Sequence, residues 1–476
     1  MSSQEAISVI DEYELNGVKI RLVKDGNRCK YLVEEPGLEK WEWELLDRAI
    51  KEASKEYDYV ERQVDKIIEK LKEKISDRKE LEKLDYMLRK TMTYDVLTPL
   101  LDDPNVEEIE CRGPGYPLTV VLRKGYSKCI RFYTNIVLET EDQVRKIIER
   151  LALRSDKPVN LLRPYLEFSL PEGHRVAATV SKEISLPGST FDVRKFSKDS
   201  IAIFDVLRNK TLTPLLMAFL WYVMDFKPFM MVLGPTGSGK TTFLNALLTL
   251  VNPDYKIVTI EDTPELSIPS PNWVRFLVRQ AFDKSADVNM NDLARLALRY
   301  RPDYLVVGEV RGKEIEALIH ASASGHGSLT TFHGIRPSDA LIRVNVLLDK
   351  DTAKLFLSTI TMFVVISRVA NGSGTTRKVI AIYEKDRGEG KRVKFKRTIT
   401  LNYNSGDYNI STIDELVNRS LFLQDIMKSF DISEEEVRDN IQKRLTFLEK
   451  ITKFELSYRE LIESLQNFYG GDTDDI

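Results

Sequence analysis

Residues 229–242 read Phe-Met-Met-Val-Leu-Gly-Pro-Thr-Gly-Ser-Gly-Lys-Thr-Thr, and residues 243–250 continue as Phe-Leu-Asn-Ala-Leu-Leu-Thr-Leu. An apolar run of strand length feeds a glycine-bracketed loop, and an apolar helix leaves it. A phosphate-binding loop needs that order of elements. Gly234 to Gly239 can turn successive backbone N–H groups onto a pyrophosphate, and the helix N-terminus behind them favours an anion. Gly234, Pro235, Thr236, Gly237, Ser238, Gly239, Lys240, Thr241 and Thr242 are therefore the candidate nucleotide-binding residues. Lys240 is expected to reach the β- and γ-phosphates and the Thr241 hydroxyl to ligate Mg2+, so ATP and Mg2+ are the expected cofactors.

Further along, residues 304–309 (Tyr-Leu-Val-Val-Gly-Glu) form a second apolar run that ends in a carboxylate. An acid at such a strand end sits beside the phosphate-loop metal or the attacking water, and Glu309 is expected to orient or activate that water. Ile257 to Ile260 reads as a strand between the two, followed by Glu261, Asp262 and Glu265. At the carboxyl end of a parallel strand these acids either hold metal-bound water or cap the following loop. With Thr241 they make up the candidate metal set. Of the four histidines, His320, His326 and His333 fall close together. Their spacing, with no cysteine nearby, does not suit zinc. His326 and His333 flank a turn into a strand and are candidate sensors of the γ-phosphate, whereas His320 reads as structural.

Strands alternate with helices through residues 211–385, the pattern of an α/β domain with a largely parallel sheet. Residues 94–210 read as a smaller α+β, PAS-like domain, with strands at 118–122 and 130–137 and a helix at 141–153. Residues 1–93 read as a hairpin (18–23 and 29–33) and a charged helical extension. Its Val60, Val64, Ile67, Leu71 and Ile75 make one apolar stripe. Residues 386–476 read as a mostly helical accessory region in which Ser433 and Glu436 form a capping box. A polar tail expected to fray follows Gly470.

The chain has 476 residues and a formal charge of −3, which offers no general attraction to nucleic acid. Cys29, Cys111 and Cys129 are odd in number and scattered, which supports neither a zinc knuckle nor a disulfide framework and suggests a reducing, cytoplasmic compartment. The N-terminus lacks a leader pattern. The greasiest stretch, Leu215 to Met224, is far shorter than the roughly 20 residues that span a bilayer. No direct membrane span is expected.

In their order these motifs resemble the type II/type IV secretion ATPase superfamily, above all the archaeal motors that assemble type IV pili and archaella. Pro99 to Ile109 (Pro-Leu-Leu-Asp-Asp-Pro-Asn-Val-Glu-Glu-Ile) resembles the entry to that family's N-terminal domain. Glu172-Gly173-His174-Arg175 and Phe191-Asp192-Val193-Arg194-Lys195 resemble its arginine-bearing strands. Ile260 to Glu265 resembles its Asp box, Leu298 to Gly312 its Walker B signature, and Gly325 to His333 its His box. The tetracysteine zinc module of many bacterial members is absent. The resemblance implies a RecA-like P-loop domain behind a smaller α+β domain, with helical extensions at both ends. It implies a homo-hexamer with ATP sites between domains; Arg175 and Arg194 are the candidate arginine fingers, with pairing to surface acids as the alternative. A polytopic membrane platform protein is the implied partner, with the motor held peripherally at the cytoplasmic membrane. A conjugative or DNA-uptake motor is an alternative within the same superfamily, and a RecA-like nucleic-acid motor lies outside it. A signalling GTPase is disfavoured, since Asn209-Lys210 precedes the loop and lacks the following Asp.

Overall fold

In the computed structural model the chain is described at residues 8–53, 60–73, 75, 77–123, 129–155, 157–160, 164–196, 201–279, 287–371, 374–386, 393–454 and 456–470. It divides into two compact units, Met1–Ser197 and Lys198–Ile476.

Among the described residues nine strands build the first unit: β1 (Ser8–Leu15), β2 (Val18–Asp25), β3 (Arg28–Glu34), β4 (Val106–Cys111), β5 (Pro117–Leu122), β6 (Phe132–Val137), β7 (Tyr165–Ser169), β8 (Arg175–Thr179) and β9 (Thr190–Arg194). They form one sheet in the order β1-β2-β3-β6-β5-β4-β9-β8-β7. Sequence reading missed β1, although Asn16-Gly17 carries its signal. Both residues have positive φ (50° and 76°), as a two-residue hairpin turn requires.

The expected N-terminal extension and the expected α+β domain share this sheet, because β3 lies parallel to β6. The Asn135 side chain closes that junction. It accepts from the Val33 N–H at 2.8 Å and donates to the Val33 carbonyl at 2.9 Å. The Tyr13 and Tyr31 hydroxyls donate to the buried Asp103 carboxylate at 2.5 and 2.6 Å. Val64, Ile67, Leu71 and Ile75 of the apolar stripe are buried in the same core. Cys29 and Cys129 form a disulfide across 100 residues, with their Cα atoms 5.9 Å apart, and Cys111 is free and buried. This corrects the sequence expectation. Scattered spacing hid a proximity that the β3–β6 pairing creates, so cysteine usage no longer argues for a reducing compartment.

The second unit holds β10 (Phe229–Leu233), β11 (Ile257–Glu261), β12 (Trp273–Leu277), β13 (Tyr304–Glu309), β14 (Gly327–Phe332), β15 (Ile360–Asn371), β16 (Gly374–Asp386) and β17 (Lys394–Thr400). Their order is β12-β11-β13-β14-β10-β15-β16-β17. The strands from β12 to β15 are parallel, and β16 and β17 run antiparallel at one edge. Parallel strands are covered on both faces and so read as continuous apolar runs. Here β10, β11 and β14 are buried at every position. One face packs on helices Met290–Arg299, Ile315–Ala323, Pro337–Leu347 and Lys350–Thr359. The other packs on Ala202–Arg208, Pro214–Met224 and Lys240–Thr249.

The C-terminal helices belong to that second core. Glu434–Ile451 opens with the expected capping box, in which the Ser433 side chain accepts from the Glu436 N–H. Trp221, in the wholly apolar helix Pro214–Met224, meets Phe447 and Phe468 at centroid distances of 5.2 and 4.7 Å. Arg444 is buried, stacked on Trp221 and Tyr222 and paired with Asp225. The region expected as an accessory therefore covers the core of the second unit. The tail beyond Gly470 lies outside the described residues.

Candidate functional site

All the parallel strands end at one edge of the sheet, and the chemistry gathers there. β10 runs into residues 234–239, and helix Lys240–Thr249 leaves them with Thr241 and Thr242 in its first turn. Gly237 and Gly239 sit at φ of 70° and 92°, a conformation that side chains rarely tolerate. Gly234 is required by space, since a Cβ there would lie 2.4 Å from the Ile366 carbonyl oxygen. The Pro235 carbonyl accepts from the Ser238 N–H at 3.2 Å and from Lys240 Nζ at 3.2 Å. Ser238 is fully buried, and among the described residues its Oγ has no hydrogen-bond partner. A buried orphan hydroxyl inside a loop of left-handed glycines fits a polyanion as its missing partner.

Glu309 ends β13 at a register shift against β14. Its Oε2 accepts from Arg311 Nε at 3.1 Å and Nη2 at 2.6 Å, while Oε1 lies against His333 Nε2. His333 follows β14, and its Nδ1 is 3.4 Å from Lys240 Nζ and 3.5 Å from Thr236 Oγ1. Burial and then the Lys240 charge hold the His333 pKa below its ordinary value, against the opposing pull of Glu309. A neutral ring with Nδ1 accepting from the ammonium carries its proton on Nε2, facing the carboxylate. Lys240, His333 and Glu309 thus form one chain of contacts from the phosphate loop to the catalytic candidate.

The acids after β11 take different parts. Glu265 Oε2 accepts from Thr241 Oγ1 at 3.0 Å, which puts a hydroxyl and a carboxylate side by side. These hard oxygen donors suit Mg2+, which is commonly held by one or two protein oxygens with water and substrate phosphates. Asp262 faces Arg311 Nη1 at 3.6 Å. Glu261 is buried, and the structure argues against it as a ligand. Its Oε1 accepts from the Glu265 and Leu266 N–H groups at 2.8 and 2.7 Å, and its Oε2 from Arg275 Nε at 3.0 Å. It caps the loop that presents Glu265, and burial raises its pKa. Among the described residues no group of three or more His, Cys, Asp or Glu side chains could hold a metal alone.

His326 does not join this group, contrary to its sequence pairing with His333. It precedes β14 at the opposite edge, with Nδ1 3.1 Å from the Ala321 carbonyl oxygen, because β14 itself separates the two rings. His320 lies on the exposed side of helix Ile315–Ala323. Arg175 and Arg194 belong to the first unit, where β8 and β9 pair them directly across the sheet. Arg175 Nη2 is 4.0 Å from Glu167, and Arg194 is exposed.

Sequence reasoning gave no role to Arg311, which clamps Glu309 and Asp262. Its place two residues beyond Glu309 was the available signal. Glu314 went unnoticed too: its Oε1 accepts from the Arg311 and Gly312 N–H groups at 2.5 and 2.7 Å and shapes the turn after β13. Arg368 and Arg377, on β15 and β16, lean on the phosphate loop with no sequence signal at all.

A family model described as "Type II/IV secretion system protein" matches residues 119–419. The chain is 33% identical over 267 residues to the uncharacterized protein MJ0900 of Methanocaldococcus jannaschii, across 56% of this chain and 48% of that protein. It is 30% identical over 268 residues to protein VirB11 of Rhizobium radiobacter, across 50% of this chain and 75% of that protein. Among solved structures, the VirB11 ATPase of the Brucella suis type IV secretion system, in complex with sulphate, is 25% identical with a TM-score of 0.32, over 60% of this chain and 92% of that one. The chain spans half or less of the length of the first curated relatives it matches.

Proposed function

The chain belongs to the type II/IV secretion system protein family, and from that premise we propose that it is a cytoplasmic motor ATPase. It hydrolyses ATP to ADP and phosphate and delivers the work to a filament-assembly or secretion machine in a membrane. The contact chain from Lys240 through His333 to Glu309 carries this reading, because it links a phosphate-holding cation to a carboxylate that can orient water. Attack by that water on the γ-phosphorus breaks the bond to the bridging oxygen, and ADP and phosphate leave. Lys240, the Ser238 hydroxyl and the loop N–H groups hold the phosphates. Thr241 and Glu265 would hold Mg2+, whose chemistry is to offset phosphate charge.

No helix among the described residues is long and apolar enough to cross a membrane; coupling through a polytopic platform protein is part of the proposal. Homo-hexamers with shared sites are part of the proposal. Arg175 and Arg194, like charges directly opposite on β8 and β9, are proposed to face the γ-phosphate of a neighbouring copy. A conjugative or other secretion role is the second reading, supported by the VirB11 relative. ATP turnover of the purified chain tests the proposal: Lys240→Ala should abolish it, and dilution should lower turnover per chain. A wild-type chain without ATP turnover under any assembly condition would overturn the reading.

A further inference from the structure

Two arginines stand at the phosphate loop that no motif accounts for. Arg368 on β15 and Arg377 on β16 are register partners, directly opposite each other in an antiparallel pair. Like charges so placed repel. Among the described residues neither meets a carboxylate. What they meet is the loop. Arg368 Nε donates to the Gly237 carbonyl at 3.0 Å, and a Cβ on Gly237 would lie 2.6 Å from Arg368 Nη2. A Cβ on Gly239 would lie 3.0 Å from Arg377 Cδ. The two left-handed glycines that shape the cradle are thus the two over which these side chains lie. Both arginines are exposed, so neither is held there by burial.

We propose that Arg368 and Arg377 are positioning residues of the nucleotide site, supplied by the same chain as the loop. Arg368 holds the Gly237 peptide by its carbonyl, so that the N–H groups on the other side of the loop stay turned toward the polyphosphate. The two guanidinium groups also raise the positive potential at the loop, and bound polyphosphate relieves their mutual repulsion. This inference rests on the reading of the site as an ATP site, and it adds cations to that site beyond Lys240. The β15–β16 hairpin thereby couples to occupancy of the loop, since the Gly237 carbonyl and the Arg368 side chain must move together.

The test is titration of the full chain with a fluorescent ATP analogue over a salt series, for wild type, R368A/R377A, R368K/R377K and Lys240→Ala. The double alanine variant should bind about tenfold or more weaker, the scale of one lost charge-assisted hydrogen bond. Its affinity should depend less steeply on salt, and turnover at saturating ATP should fall much less than affinity. The double lysine variant should recover the salt dependence and only part of the affinity, because Lys lacks the fixed fork that grips a carbonyl. A merely structural role would leave the salt slope unchanged. Wild-type affinity and slope in the double alanine variant, with binding lost in Lys240→Ala, would overturn the arginine proposal and leave the ATP site standing. Absence of binding in the wild type would overturn both.

Discussion

The loop edge of the second sheet and the helix-covered face beside it are made from the same strands and solve opposite problems. At the loop edge, polar groups are held half-open. Among the described residues Ser238 Oγ is orphaned, Lys240 Nζ lies 3.2 Å from the Pro235 carbonyl and 3.4 Å from an imidazole ring nitrogen, and Thr236 Oγ1 is 3.5 Å from the same ring. On the covered face, Trp221 packs against Phe447 and Phe468, and the buried Arg444 guanidinium has its counter-charge. Arg444 meets Asp225, and the Tyr469 hydroxyl donates to Asp225 at 3.1 Å. An orphan hydroxyl beside a loop of left-handed glycines marks where a ligand enters, and a paired buried charge under an aromatic cluster marks where stability is stored. Substitutions should therefore divide cleanly, with chemistry lost at the edge and stability lost on the face.

The largest effect is expected at Glu309. Glu309→Gln keeps the shape and the acceptor toward Arg311 but removes the negative charge that orients water. Turnover should fall by about 10²–10⁴, the range for a lost catalytic base, while ATP affinity and thermal midpoint stay near wild type. Single-turnover hydrolysis and a melting curve on the same sample check this. A variant that melts early would show that the edge also carries stability, and one with normal turnover would remove Glu309 from the reaction.

The opposite outcome is expected on the covered face. Arg444→Ala leaves the half-buried Asp225 without its cation and strips a buried side chain from Trp221, which together cost about 3 kcal/mol, the lower end for a buried pair. A unit of this size should then melt on the order of 10 °C lower. Turnover per folded molecule, measured well below the midpoint, should be unchanged. Lost turnover with an unshifted midpoint would mean that the C-terminal helices act in the chemistry rather than only cover the core.

These two regions also differed in how far the sequence revealed them. The edge was readable because its chemistry is local. Gly234 to Thr241 are consecutive, and strand polarity alone carries Glu309 and His333 to the same end of the sheet. Glu261 shows the limit of that logic: chain position puts it at the edge, but only burial and the Arg275 contact show that its bonds are already used. The covered face announced a need without naming its partner. Leu215 to Met224 is apolar all round, so it has to be buried, yet nothing in those residues indicates that Phe447 and Phe468 bury it. Long-range pairings were the hidden part throughout. Arg368 reaches Gly237, Cys29 reaches Cys129, and β3 pairs with β6, in each case between segments that look independent along the chain.

The smallest expected effect probes the covered side by pH. Glu384, in β16, is wholly buried beneath the start of helix Leu421–Phe430. It accepts from the Leu421 and Phe422 N–H groups at 2.5 and 3.1 Å and from Ser420 Oγ at 3.0 Å. Those donors and the helix N-terminus favour the carboxylate, but burial outweighs them and lifts the pKa from 4.5 to about 7. Because the folded value lies above the unfolded one, the folded chain binds the extra proton between those two pH values. Stability from this group is therefore fully present below pH 4.5 and is lost as the pH rises through about 7. At about 1.4 kcal/mol per pH unit across that window, the loss reaches about 3 kcal/mol by pH 8. Glu384→Gln has no proton to lose, so its unfolding free energy should change less between pH 5 and 8 than that of the wild type. Denaturant titrations of both proteins at the two pH values give the comparison. Equal slopes would show that the N–H groups at the helix start, and not burial, set the state of this carboxylate.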